Sequence, residues 1–246
     1  MKNRRAIADF DFPIDLRHLQ SPIAESQPRT LPFCYLHHMT HAPGLYAVIL
    51  AAGESTRMGT DKALLPWPPA AAGAPPTGQT FLSAAIKALE PFSETVIVVA
   101  GNNEPNLAPV VYANGASLVR NPDPDRGQFS SLQVGLQEVL SHGRDAAIVT
   151  LVDRPPAGAS TLQALCSAFT EAGSAVWAVV PEYNGKHGHP FLLAREMIEA
   201  FLKAPPSATA RDIEQQNLQH VAYVVVADPL VTLNIDTPEE YAALSQ

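Results

Sequence analysis

Cysteine is scarce. Only Cys34 and Cys166 occur in 246 residues, too few for a disulfide framework, which favours a reduced, cytoplasmic setting. Positive charge is also short. Sixteen Lys and Arg stand against 24 Asp and Glu, for a net charge of −8 and a pI of about 5.4. No long-range field therefore draws DNA or RNA, and an anionic substrate must be attracted by local charges or a metal. No uninterrupted apolar run reaches the roughly 18 residues of a membrane span, so no membrane role is expected. The N-terminus "MKNRRAIADFDFPIDLRHLQ" carries early positive charge, but its acids and Pro13 interrupt any signal-like stretch. Three well-known motifs are missing. GxGxxG is absent. The P-loop spacing fails, because five residues separate Gly53 from Gly59 and the lysine follows three later. Ser130 and Ser131 lack the GxSxG setting of a nucleophile.

With 46% hydrophobic residues, the chain can bury one sizeable core. Residues 1–44 have scattered prolines and no sustained period, and they read as an N-terminal extension. Their "HHMTH" cluster, with His37, His38 and His41, has no cysteine or acid at zinc-ligand spacing. Met39 reads as a natural beginning, so residues 1–38 are expected to be dispensable or to come from an upstream start. From Leu45 to Gln246 the text is regular and reads as one domain. "LYAVILA", "ETVIVVA", "DAAIVTLVD", "SAVWAVVP", "HVAYVVVA" and "LVTLNID" read as strands. "QTFLSAAIKALEPF", "GQFSSLQVGLQEVLSHG", "ASTLQALCSAFTEAG", "FLLAREMIEAFLKA", "ATARDIEQQN" and "TPEEYAAL" read as helices, the last capped by Thr237 with Pro238 at its first position. "PWPPAAAGAPPTG" reads as a surface loop. Apolar strands alternating with helices predict an α/β fold with a mostly parallel sheet covered on both faces. In such sheets, ligands bind beyond the carboxyl ends of the strands.

The residues at those ends carry the chemistry. After the first strand come Gly53, Arg57, Gly59 and Lys62. Small residues let backbone amides approach phosphate oxygens, Arg57 offers a guanidinium fork, and Lys62 offers a compact charge. An ordinary turn with solvated charges explains the same residues. Asp153 follows "AAIVTLV" and Asp236 ends "LVTLNID". Each alone reads equally as a helix-start or turn residue. Together with a phosphate-type loop they make a metal-assisted phosphoryl site coherent. The helix opened by Gly127 offers amides and the hydroxyls of Ser130 and Ser131 to a ligand. "YNGKHGHPFLL", with Lys186, Gly188, His189 and Pro190, reads as a tight loop able to line a substrate pocket or as a simple hairpin turn.

"LAAGESTRMGTDKALLP" closely resembles the signature of the MobA-like NTP transferases, the family that includes molybdenum cofactor cytidylyltransferases. The resemblance runs from about Leu45 to Leu244, and "GQFSSLQVGL", "LVDRPP", "GKHGHPFLL", "ATARDI" and "NIDTPEEY" follow in the family's order. It implies a Rossmann-like, three-layer nucleotide-diphospho-sugar transferase fold and transfer of a nucleoside monophosphate from an NTP to a phosphorylated pterin acceptor. The partners it implies include a recipient molybdoenzyme for the product. The resemblance puts Leu50, Ala51, Ala52, Gly53, Arg57, Gly59 and Lys62 on the triphosphate, with Gly127, Ser130 and Ser131 near base and ribose. It implies Mg2+ on Asp153 and Asp236, and an acceptor against Lys186, Gly188, His189 and Pro190. Arg57, Lys62 and Asp153 carry the catalytic roles. Ala52 favours CTP, since Leu-Ala-Ala-Gly accompanies cytidine nucleotides in the family and Leu-Ala-Gly-Gly accompanies guanine. The chain departs from the family at Arg154, where Gln or Met is common, and in the long insertion after Leu65. A sugar- or polyol-phosphate nucleotidyltransferase and a non-catalytic cofactor-binding chaperone are the alternative readings.

Overall fold

Strand β1 (Leu45–Leu50) is buried at every position, as expected for a run of β-branched and apolar residues with no polar face. Its side chains alternate between two cores. Leu45, Ala47 and Ile49 enter one, while Tyr46, Val48 and Leu50 enter the other. The computed structural model describes residues 44–53, 59–69 and 78–244. Residues 1–43 of the N-terminal extension, Arg57 and the middle of the proline-rich insertion lie outside them.

Helix α1 (Phe81–Leu89) follows, its start fixed by a capping box between Thr80 and Ser83. Then come β2 (Thr95–Ala100), α2 (Glu104–Ala113), β3 (Ser117–Arg120), α3 (Gln128–Ser141), β4 (Ala146–Leu151) and α4 (Ala159–Glu171). The second half holds β5 (Ala178–Tyr183), β6 (Lys186–His187), β7 (Phe191–Ala194), α5 (Arg195–Lys203), α6 (Ala210–Gln216), β8 (Val221–Val225) and α7 (Pro238–Ala243). The strands form one sheet in the order β3-β2-β1-β4-β7-β5-β6, with β8 paired to β5. The β1–β2, β1–β4, β2–β3 and β5–β8 pairs are parallel, whereas β7 runs antiparallel to β4 and β5. Apolar residues of α1, α2 and α4 fill one core and those of α3, α5 and α6 the other. Helix α3 lies so close to the sheet that a Cβ at Gly135 would be 2.5 Å from Val48 Cγ1. This is the expected three-layer α/β arrangement. The chain leaves β1 toward β2 on one side and enters β4 on the other, so a crevice opens at the carboxyl ends of β1 and β4. Among the described residues, no helix is long and apolar enough to cross a membrane.

The structure corrects two readings. "FLLA" is strand β7, not the start of a helix. A short apolar run is ambiguous by periodicity, and burial between β4 and β5 decides it. "LVTLNID" is no strand. Pro229–Thr232 forms a 3-10 turn capped by Asp228, and the backbone to Asp236 is irregular. Pro229 lacks the amide a ladder needs, so the acid read as a strand-end residue sits instead in the loop before α7. Helix α2 and strand β3 have weak signals in the sequence. Pro109 inside α2 hides its period, and β3 has only four residues. The "YNGK" turn is a two-residue hairpin loop, with Asn184 at φ +49 and Gly185 at φ +73 and Tyr183 paired to Lys186. Positive φ at both positions matches the right-handed twist of the flanking strands.

Candidate active site

The glycine-rich loop begins where β1 stops. Leu50 and Ala51 are both buried. Ala51 still donates its amide to Val99 O at 2.9 Å. Ala52 follows, and Gly53 is exposed. Beneath them lies Gly101, at the end of β2. A Cβ there would stand 2.7 Å from Ala52 O, so the loop rests directly on the β2–α2 turn. At the far side of the loop Gly59 takes φ +66, and Asp61 caps a 3-10 turn over Lys62–Leu64 by accepting from Ala63 N. That turn drives the Lys62 side chain inward.

Lys62 is buried. Its Nζ stands 2.7 Å from Asp236 Oδ1 and 3.8 Å from Asp153 Oδ2. The other oxygen of Asp236 accepts from Asn234 Nδ2 at 2.7 Å. The Asp236 and Thr237 amides both donate to Glu240 Oε2, which closes the capping box of α7. Ile235 N donates to Asp153 O at 3.0 Å, lashing the pre-α7 loop to the end of β4. Burial pushes the Asp153 carboxyl above its ordinary range, against the pull of Lys62 and Arg154. Asp153 Oδ1 and Asn234 Oδ1 are buried with no hydrogen-bond partner among the described residues. Buried oxygens without a donor invite a cation. With Asp236 they give an all-oxygen donor set that suits a hard divalent ion such as Mg2+. Among the described residues, no group of three or more His, Cys, Asp or Glu could hold a metal, so the fit rests on two carboxylates and one amide.

The acceptor candidates divide. Lys186 is exposed on the hairpin, while Gly188, His189 and Pro190 are buried. Gly188 is forced: a Cβ there would lie 1.9 Å from Val231 O. His189 N donates to that same carbonyl at 2.9 Å. Its imidazole is driven well below its ordinary pKa by burial, with Arg154 adding to the effect, so the ring is neutral at physiological pH. His189 lines an apolar cleft with Leu50, Gln128, Phe129, Leu151 and Phe191. That cleft opens beside the start of α3, where Gly127 adopts φ +95. The Ser130 and Ser131 hydroxyls are buried and accept from Asn121 Nδ2 at 2.8 and 3.0 Å. Ser130 also donates to Gly127 O at 2.7 Å.

Asn121, Asn234 and Asn103, whose side-chain amide donates to Ala51 O and Asp61 Oδ2, carry no motif signal in the sequence. Asn103 and Asn121 follow the ends of β2 and β3, where the strand-end rule applies, whereas Asn234 lies in the irregular segment before Asp236 and has no such signal. Asn121 follows β3, whose four residues give almost no periodic signal.

The geometry unites a glycine loop, a buried lysine and two acids from distant segments. The match to the MobA-like NTP transferase domain spans residues 47–221. The chain is 35% identical over 136 residues to a probable molybdenum cofactor guanylyltransferase of Rhodopirellula baltica, covering 54% of this chain and 61% of that protein. It is 26% identical over 197 residues to the molybdenum cofactor cytidylyltransferase of Escherichia coli, covering 79% and 92%. The crystal structure of Rv0371c from Mycobacterium tuberculosis H37Rv superposes with a TM-score of 0.67 at 25% identity, over 82% of this chain and 97% of that one. The chain belongs to the family of proteins with a MobA-like NTP transferase domain.

Proposed function

We propose that the protein transfers CMP from CTP to the terminal phosphate of a molybdopterin-type acceptor, releasing pyrophosphate. The observation that carries this reading is Lys62, held between Asp153 and Asp236 at the mouth of the glycine loop. An acceptor phosphate oxygen attacks the α-phosphorus and forms a new P–O bond. The bond from the α-phosphorus to the oxygen bridging it to the β-phosphorus breaks, and that oxygen leaves with pyrophosphate. Such a step needs positioning and charge neutralisation rather than a covalent catalyst. It needs no general base, because the attacking phosphate is already ionised.

Backbone amides of Ala51 to Gly59, with Arg57 and Lys62, would hold the triphosphate. The Lys62 ammonium has three donors and can serve a carboxylate and a phosphate oxygen together. Asp153 and Asp236 would hold Mg2+, which when bound supplies charge neutralisation to the phosphate oxygens. Gly127 and the α3 start, buttressed by Ser130 and Ser131, would flank base and ribose. Gly188, His189 and Pro190 would line the acceptor side with Lys186 at its rim, and the neutral His189 ring adds no charge there.

The cytidine assignment rests on Ala52 and agrees with the name of the Escherichia coli relative. The Rhodopirellula relative's name supports guanine as the rival base. Thermal shift with CTP, GTP, ATP and UTP in the presence of Mg2+ tests both. The largest stabilisation is expected with CTP. A larger shift with GTP overturns the base assignment, and no shift with any nucleotide overturns the function.

A further inference from the structure

Asn103 occupies the position before the first residue of α2, where an asparagine ordinarily caps the helix. Its side chain does not cap α2. Instead Oδ1 accepts from Gly101 N at 3.0 Å, folding the β2–α2 turn back on itself. This orients the amide nitrogen outward, toward the glycine loop. Nδ2 then donates to Ala51 O at 2.9 Å and to Asp61 Oδ2 at 2.7 Å. An amide nitrogen has two hydrogens, so both are used, one on each stem of the loop. Ala51 is where the chain leaves β1, and Asp61 is where it turns into the Lys62 side of the site. Asp61 is itself fixed, because its other oxygen accepts from Ala63 N at 3.0 Å. The loop between the stems also rests on Gly101, where any side chain would strike Ala52 O. Two independent contacts thus tie the β2–α2 turn to the loop.

We infer that Asn103 is a positioning residue for nucleotide binding, one that clamps the two stems of the glycine loop and sets its width before the triphosphate arrives. The inference rests on reading that loop as the triphosphate site. An unclamped loop must be ordered at the moment of binding, and that conformational entropy weakens affinity. The clamp acts before chemistry, so its loss falls on ligand affinity and KM rather than on kcat. It also acts on the phosphates rather than on the base. A base-free anion should therefore feel it as strongly as the nucleotide does.

Equilibrium binding of CTP and of inorganic tripolyphosphate to the full chain, with steady-state kinetics, provides the test. Asn103→Ala should weaken both probes on the order of tenfold, since two of the three hydrogen bonds it removes hold the loop stems, with KM rising and kcat nearly constant. Asn103→Asp should be worse, since its carboxylate meets Asp61 and the Ala51 carbonyl. The exchange Asn103→Asp with Asp61→Asn restores a donor and an acceptor across that bond, and it should recover part of the affinity. Thermal unfolding of each variant should remain cooperative. Unchanged binding in Asn103→Ala, a loss confined to kcat, or an exchange no better than Asn103→Asp alone overturns the clamp. If the wild-type chain binds neither probe, the reading of the loop itself fails instead.

Discussion

Lys62 and Asp236, 174 positions apart, meet at 2.7 Å between Nζ and Oδ1. The contact closes the site, because it joins the loop after β1 to the segment before the last helix. The lysine has little water around it and faces a second carboxylate, Asp153, so its removal takes the shared cation away from two anions held close together. Lys62→Met should lower the melting temperature, with a cost of about 1–3 kcal/mol for the unsatisfied groups, and reduce turnover on the order of 10²-fold. Lys62→Arg should restore much of the melting temperature but little of the turnover, because a planar fork does not replace a compact ammonium. Calorimetry and pyrophosphate release measure the two effects separately.

Asp153 should show activity and stability moving in opposite directions. Its folded carboxyl prefers the proton, chiefly because of burial. A raised pKa favours folding fully below the unfolded value, and the benefit is lost as pH rises through the folded value. At neutral pH the ionised side chain therefore costs stability. Asp153→Asn should melt no lower than wild type there while losing turnover on the order of 10²-fold. Full activity in this variant would remove Asp153 from the site.

Glu214 offers a pH test away from the chemistry. It is buried under α5 and β8 in a cleft whose other lining residues, among them Met197, Leu193 and Val221, are apolar. Its Oε2 has no hydrogen-bond partner among the described residues. Burial lifts its pKa from 4.5 to about 8, against the pull of Arg211. Between those values the folded chain holds a proton that the unfolded chain has released, so stability falls as pH rises and levels off above about 8. Glu214→Gln should flatten that slope. It should also be more stable than wild type at alkaline pH by a few kcal/mol, since each tenfold change in proton affinity is worth roughly 1.4 kcal/mol. Urea titrations across the range would reveal a parallel slope if the idea is wrong.

Ala52 tests the base. Ala52→Gly makes the loop read Leu-Ala-Gly-Gly, and the ratio of kcat/KM for CTP over GTP should fall on the order of tenfold, equivalent to about 1.4 kcal/mol of discrimination. An unchanged ratio would place base selection elsewhere.

Gly188→Ala forces a methyl to within 1.9 Å of Val231 O. Both sides of the clash are backbone, so no side chain can yield. A loss of about 1–3 kcal/mol in stability is expected, with lower turnover because the displaced segment leads to Asp236. Chemical denaturation would refute this if the midpoint stayed put.

Much of this was legible in the sequence because the relevant signals are local. Thr237, Pro238 and Glu240 mark a helix start within four positions, and the capping box is present. The alternation of apolar strands with helices gave the layers. What escaped depends on distant partners. "FLLA" is a strand because β4 and β5 accept it on either side, and nothing within four residues says so. "LVTLNID" has strand composition but spends its backbone on Asp153 and His189 rather than on a ladder. Asn103 could be found near a strand end, but its two partners lie 52 and 42 positions away. The hydroxyls of Ser130 and Ser131 were legible as residues but not as contacts, because their partner Asn121 follows a strand too short to read.

The segment from Val231 to Ile235 is bonded at its first residue to His189 and at its last to Asp153. It spans from the His189 segment, proposed to line the acceptor side, to Asp153 at the acidic side of the crevice. If two ligands bind on either side of it, any factor by which one changes the affinity of the other must be returned in full by the second, so one coupling constant describes both.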